Sequence, residues 1–194
     1  MYNIAQSILR RIRGRGHGSV WTSKGFLDIG LRAAVDQALS RLVRRGVLRR
    51  LSRGVFDYPK HSPRLGTLSP DANAVVHAVA ARDGARVYPS GALVANTLGL
   101  TTQVPSQFTY VTDGPARDLH LGSRVIRFQH VSPARIQWSP AVRALAYLGP
   151  DGINDTTVGQ LRRHLSPRDR QRLGRDLRFA PDWMRPVLQQ VMGD

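Results

Sequence analysis

Between Leu31 and Pro59 the chain reads LRAAVDQALSRLVRRGVLRRLSRGVFDYP, and no other stretch restricts the possible folds as much. Val35, Ala38, Leu39 and Leu42 recur at i, i+3, i+4 and i+7, which places them on one stripe of an α-helix turned toward a core. Gln37, Ser40, Arg41 and Arg44 repeat the spacing on the opposite side. Gly46 stands where a left-handed residue would close the helix, and Val47–Leu51 and Gly54–Tyr58 then read as two short strands joined through Leu51, Ser52, Arg53 and Gly54. A charged helix face alone is ordinary solvation. A glycine stop and an arginine-bearing hairpin directly after it make the order that of a recognition helix and a wing. The major groove of B-DNA admits one α-helix, and Arg, Gln and Ser carry the donors and acceptors that read base edges there. The hairpin would carry its arginines to flanking phosphates.

The residues upstream fit the same plan. Tyr2–Arg13 is helical in pattern, GRGHGS breaks it, and Ser19–Trp21 is compatible with a short strand. Thr22 or Ser23 can cap a second helix over Lys24–Ile29, ended by Gly30, before the main helix starts near Arg32. Helix, strand, helix, turn, helix, hairpin is the winged helix-turn-helix order. The candidate DNA contacts are Thr22, Ser23 and Lys24 at the second helix, Arg32, Gln37, Ser40, Arg41, Arg44 and Arg45 on the third, and Arg49, Arg50 and Arg53 on the wing.

Charge points the same way. The 194 residues hold 29 Lys plus Arg against 13 acids, a formal net charge of +16. Only Lys24 and Lys60 are lysines and every acid is Asp, so the cations are overwhelmingly the planar forks that grip phosphate and guanine bidentately. A GC-rich genome would favour Arg over Lys as well, but it does not explain the excess of cations. Residues 1–60 carry 13 cations against Asp28, Asp36 and Asp57, making the N-terminal third the electrostatic footprint.

The rest of the chain reads as a second domain. Domains are predicted at 1–60 (winged helix-turn-helix) and 70–194, with 61–69 as linker. In the second, Ser69 or Asp71 caps a helix burying Ala72, Val75, Val76 and Val79, and a further helix spans Ser90–Leu98. Phe108–Val111, Leu119–Leu121 and Arg124–His130 look like strands of a small antiparallel sheet, and four helical segments follow from Ser139. The predicted class is therefore α+β: an N-terminal winged helix-turn-helix, then a mixed α/β domain with a small antiparallel sheet and C-terminal helices.

Catalytic patterns are absent from the sequence. There is no phosphate loop, no G-x-S-x-G around Ser90 and no H-E-x-x-H; Asp118, His120 and His130 lack clustered ligand spacing. Asp113-Gly114 is a turn signature before it is half of a carboxylate pair with Asp118. Without cysteine there is no disulfide framework and no thiolate metal site. No catalytic residue, metal or cofactor is expected. Trp138 and Trp183, with Phe179 and Met184, suit either a core or a partner surface. The arginine-rich segment LRRHLSPRDRQRLGRDLR is either solvated or meets an acidic partner. No apolar run suffices for a membrane span and no secretion signal is evident, so a cytoplasmic location is expected.

The chain resembles the AbiEi-type antitoxins, the DNA-binding partners in bacterial type IV toxin-antitoxin systems linked to phage defence. The resemblance lies in FLDIGLRAAVDQALSRLVRRGVLRRLSRGVFDYP at 26–59, PSGALVANTLGLTTQVP at 89–105 and YVTDGPAR at 110–117. It implies a winged helix that binds inverted repeats of double-stranded DNA in its own promoter and represses transcription, as a monomer or a pair assembling on DNA. It also implies a C-terminal domain that neutralises a co-encoded nucleotidyltransferase-like toxin. One departure is Leu31, where a small hydroxyl residue would be expected to cap the recognition helix. Two other readings remain open: a stand-alone winged-helix regulator whose second domain senses an effector or mediates oligomerisation, and an enzyme acting on nucleic acid.

Overall fold

The computed structural model describes residues 3–104 and 107–193. Two positions named above, Tyr2 of the first helix and Pro105 of the second resembling block, lie outside the described residues. The protein is a mixed α+β chain with eight α-helices and small sheets among those residues. Its contacts divide it into two compact units, Met1–Arg86 with Asp118–Ile126, and Val87–Arg117 with Arg127–Asp194.

Unit 1 opens with α1 (Ile4–Arg15), whose first amides are capped by the Asn3 side chain. Strand β1 (Val20–Thr22) follows, then a 3-10 turn at Ser23–Phe26, helix α2 (Arg32–Arg44), and strands β2 (Arg49–Ser52) and β3 (Val55–Asp57). The three strands form an antiparallel sheet in the order β1-β3-β2, with a bulge between Arg50 and Ser52. The α-helix predicted over Lys24–Ile29 is replaced by that 3-10 turn and a following turn. The stretch is short, carries Gly25 and has no side-chain cap, since the Thr22 side chain bonds no amide there.

The predicted apolar stripe of α2 is the core of this unit. Val35, Ala38, Leu39 and Leu42 are buried with Ile8, Ile12, Phe26, Leu48 and Phe56. Gly46, at φ +69°, ends α2: its N–H donates to the Val43 carbonyl while the Val47 N–H reaches back to Leu42, the paired bonds of a Schellman stop. The reversal turns the chain into β2.

The boundary expected at residue 60 is not where the contacts divide. Residues 61–69, read as linker, contain the small antiparallel pair β4 (His61–Ser62) and β5 (Gly66–Thr67). Helix α3 (Ala72–Asp83), capped by Asp71, belongs to unit 1. It buries Val75, Val76, Val79 and Ala80, with Ala72 only partly covered. The Arg82 guanidinium donates to the Arg53 carbonyl at 2.7 Å and the Ser52 hydroxyl at 3.3 Å, which ties the end of α3 to the β2–β3 turn.

In unit 2, β6 (Val87–Pro89) leads to α4 (Gly91–Thr97), which Ser90 caps through the Leu93 N–H. Strands β7 (Phe108–Thr112), β8 (Arg117–Leu121) and β9 (Arg124–His130) complete a four-stranded sheet in the order β6-β7-β9-β8, whose Asp118–Ile126 portion is grouped with unit 1. Four helices close the chain: α5 (Pro140–Leu148), α6 (Asp155–His164), α7 (Pro167–Asp176) and α8 (Arg185–Met192). They enclose a core of Val142, Leu145, Leu161, Leu173, Met184, Leu188 and Val191. Met184 is thus core, whereas Phe179 and Trp183 are exposed and Trp138 is half-buried.

Helices α4 and α5 pack at close range because Gly91 has no side chain. A Cβ placed there would stand 2.3 Å from the Arg143 carbonyl oxygen and 2.8 Å from the Tyr147 Cβ, and a backbone oxygen cannot swing away. Gly91→Ala is therefore expected to cost about 2 kcal/mol, at the level of an overpacked core. Urea unfolding followed by circular dichroism measures it, and an unchanged midpoint would contradict this packing.

Candidate nucleic-acid interface

With its apolar stripe buried, α2 turns its other side outward. The helix begins at Arg32 with Leu31 as an N-cap that makes no side-chain bond and is 83% exposed, so the missing hydroxyl cap is real. Gln37, Arg41 and Arg44 are exposed and Ser40 is half-exposed, and together with Asp36 they line one shallow open groove along the helix. Arg45 is exposed at the cap. Within the helix, Gln37, Ser40, Arg41 and Arg44 can all act as donors, over 13 residues that span about 20 Å at 1.5 Å per residue.

The placement of the other named residues is uneven. Lys24 is exposed on the 3-10 turn and Thr22 is half-buried at the end of β1. Ser23 is only 3% exposed, its N–H donating to the Gly54 carbonyl, so it joins the 3-10 turn to the hairpin and cannot meet an external ligand. Arg32 spans to Asp36 four residues on, Nε to Oδ2 at 2.8 Å, an exposed pair worth about 0.5 kcal/mol or less. Its charge is therefore partly engaged.

Arg49, expected on phosphate, is turned to a carboxylate of its own sheet. The register of the sheet sets it opposite Asp57, and its fork closes on that carboxylate with Nε–Oδ1 at 3.0 Å and Nη2–Oδ2 at 2.6 Å. Nη2 also donates to the Leu68 carbonyl at 3.0 Å. Asp57 is 1% exposed, so this is a structural clamp rather than a phosphate contact. The hydrogen bond from Arg49 to Asp57 raises the guanidinium's pKa above its ordinary value and keeps it charged. Arg50 and Arg53, by contrast, are exposed on the hairpin, with the Arg50 guanidinium 5.5 Å from the centre of the Phe56 ring across the strand pair.

One electrostatic consequence was hidden in the sequence. All three acids of residues 1–60 are taken by arginines: Asp36 by Arg32, Asp57 by Arg49, and Asp28 by Arg11, whose fork also reaches the Gly25 carbonyl. The Arg11 bond lowers the Asp28 carboxyl below the usual carboxylate range. Among the described residues, Arg41, Arg44, Arg45, Arg50, Arg53 and Lys24 have no carboxylate within ion-pair distance. These six exposed cations are thus left without a compensating carboxylate. Arg82 was also missed: it braces the hairpin from α3, about thirty residues away in sequence, and no local pattern signals it.

The chain matches a family described as "Family of unknown function (DUF6088)" over residues 7–173. It belongs to that family. The matched span of DUF6088 takes in α2, the β2–β3 hairpin and most of both compact units. No curated protein matches the chain. Among the described residues no group of three or more His, Cys, Asp or Glu is placed to hold a metal ion, and no helix is long and apolar enough to cross a membrane.

The two hairpin arginines with different partners give a direct check. Arg49→Ala strands a buried carboxylate and is expected to cost about 3 kcal/mol, whereas Arg50→Ala is expected to stay within about 0.5 kcal/mol of the parent. Thermal unfolding of the two variants measures the difference. Equal stability would mean that the Arg49–Asp57 clamp does not form.

Proposed function

We propose that this member of DUF6088 is a DNA-binding antitoxin and transcriptional autorepressor, with unit 1 as a winged helix-turn-helix module. The observation that carries the reading is the outward face of α2: Gln37, Ser40, Arg41 and Arg44 side by side, with Arg50 and Arg53 on the hairpin that follows and no acid left unpaired among the first sixty residues. The element order and the sheet order β1-β3-β2 support the winged-helix assignment, with the 3-10 turn in place of its second helix. Gln37, Ser40, Arg41 and Arg44 read base edges in the major groove; Lys24, Arg45, Arg50 and Arg53 hold phosphates on either side. Arg32 contributes once its bond to Asp36 opens. Ser23 and Arg49 support the module from inside.

The antitoxin half of the reading rests on the resemblance in residues 26–59, 89–105 and 110–117. The DNA half rests on the charge and exposure of α2 and the hairpin. In this account the chain works in the cytoplasm, turns over no substrate, binds inverted repeats upstream of its own gene, and its C-terminal part restrains a co-encoded nucleotidyltransferase-like toxin.

Fluorescence anisotropy with duplex DNA from the chain's own upstream region tests the DNA half. Arg41→Ala is expected to cost about 1–3 kcal/mol on that duplex and much less on a scrambled one, whereas Arg50→Ala weakens both alike and reduces the salt slope by about one. Equal losses on both duplexes for both variants would refute this division of labour. Co-expression with the neighbouring gene tests the other half: rescue of growth from a nucleotidyltransferase-like product supports it, and no rescue refutes it.

A further inference from the structure

Unit 2 contains a cavity of about 710 Å³ that the reading above does not use. Two ionisable side chains nine-tenths or more buried line it: Arg143, 6% exposed, and Asp176, 9% exposed. Each keeps a buried polar atom without a hydrogen-bond partner, Nε of Arg143 and Oδ2 of Asp176. They carry opposite charges and feel one another electrostatically, yet they do not close into an ion pair among the described residues. Burial lowers the arginine's pKa and raises that of the aspartate, so both groups are held against their own desolvation. Buried polar groups are ordinarily satisfied, and two side chains of opposite charge, each with an unpartnered buried atom, in the wall of one cavity describe the complement of a ligand.

The surroundings are fixed in place. The Arg143 Nη1 donates to the Trp138 carbonyl, and its guanidinium lies 4.8 Å from the centre of the Tyr88 ring. The Trp138 indole N–H donates to the Phe179 carbonyl at 3.0 Å, and Arg135 covers its ring at 4.9 Å. Ser139, which caps α5 by accepting from the Val142 N–H, lines the same cavity. Trp138, Phe179 and Leu173 add an apolar wall to the same cavity. A volume of this size lies within the range of small-molecule pockets.

We propose that this cavity binds an amino-acid-like zwitterion, its carboxylate on Arg143, its ammonium on Asp176 and its aromatic or aliphatic side chain against Trp138 and Phe179. The charges decide the class. Asp169, Arg172 and Arg175 also line the cavity but are exposed to solvent; of the two buried groups, a lone anion leaves Asp176 without a partner, a lone cation does the same to Arg143, and a neutral amide offers only a dipole to each. A zwitterion satisfies both and adds no net charge. The site is independent of the DNA reading, because every residue named lies in unit 2 and none is on α2 or the hairpin.

Calorimetric titration of the full chain with L-phenylalanine, L-leucine, phenylacetate, phenethylamine and benzamide tests it. At least one of the two amino acids is expected to bind with a Kd below about 10 mM, and the three single-function compounds at least about tenfold more weakly. Asp176→Asn, which keeps size and shape, is expected to weaken the amino acid at least about tenfold while leaving phenylacetate unchanged. Arg143→Gln is expected to show the mirror pattern, sparing phenethylamine; if it does not fold, Asp176→Asn decides alone. Absence of heat with both amino acids, benzamide binding as tightly as either, or an Asp176→Asn variant that binds them like the parent would overturn the proposal. None of these outcomes alters DNA binding, so failure here is distinguishable from failure of the repressor reading.

Discussion

One side of α2 is committed to the core of unit 1, and everything proposed for the other side follows from that. Val35, Ala38, Leu39 and Leu42 meet Ile8 and Ile12 of α1 and Phe26 of the 3-10 turn, which fixes the rotation of the helix about its axis. Burying an aliphatic side chain contributes about 1.5–3 kcal/mol, so rotating α2 to cover Arg41 and Arg44 would forfeit several such terms and bury charge besides. The direction in which the arginines point is therefore a consequence of packing.

The hairpin is held within unit 1 by polar bonds of the kind that fail when left unsatisfied. Gly46 turns the chain, Arg49 closes on the buried Asp57, Ser23 bonds the Gly54 carbonyl and Arg82 grips the Arg53 carbonyl. Ser23, Leu68 and Arg82 bond into residues 49–54 from elsewhere in unit 1, and of those six only Arg50 and Arg53 are exposed. Two arginines adjacent in sequence thus have opposite roles: Arg49 serves the fold, and Arg50 is available to a ligand.

That split also marks how far the sequence was legible. The range of α2, its buried stripe, its glycine stop and the hairpin all come from spacings within a dozen residues, where helical period and turn chemistry are decisive. Strands β7, β8 and β9 and the helix starts at Asp71, Ser90 and Ser139 were legible for the same reason. What escaped depends on distant partners. The role of Arg49 follows from a strand register that the bulge at Leu51 helps to set, and Ser23 is buried by a turn thirty residues later. Helix α3 looked like the start of the second domain because its sequence says only that it is apolar on one side, not which core receives it. The three-residue β6, ending in Pro89, is too short to carry a period. The open atoms of Arg143 and Asp176 are likewise invisible until α5 and α7 are folded.

The central claim is that the outward side of α2 and the hairpin beside it are the surface that meets duplex DNA. Amide chemical-shift mapping of the full chain, titrated with duplex from its own upstream region, tests this most directly. The account predicts perturbations concentrated at residues 36–45 and 50–54 that fade as salt is raised. Perturbations confined to unit 2, for instance along the arginines of α6 and α7, with α2 unmoved, would contradict it.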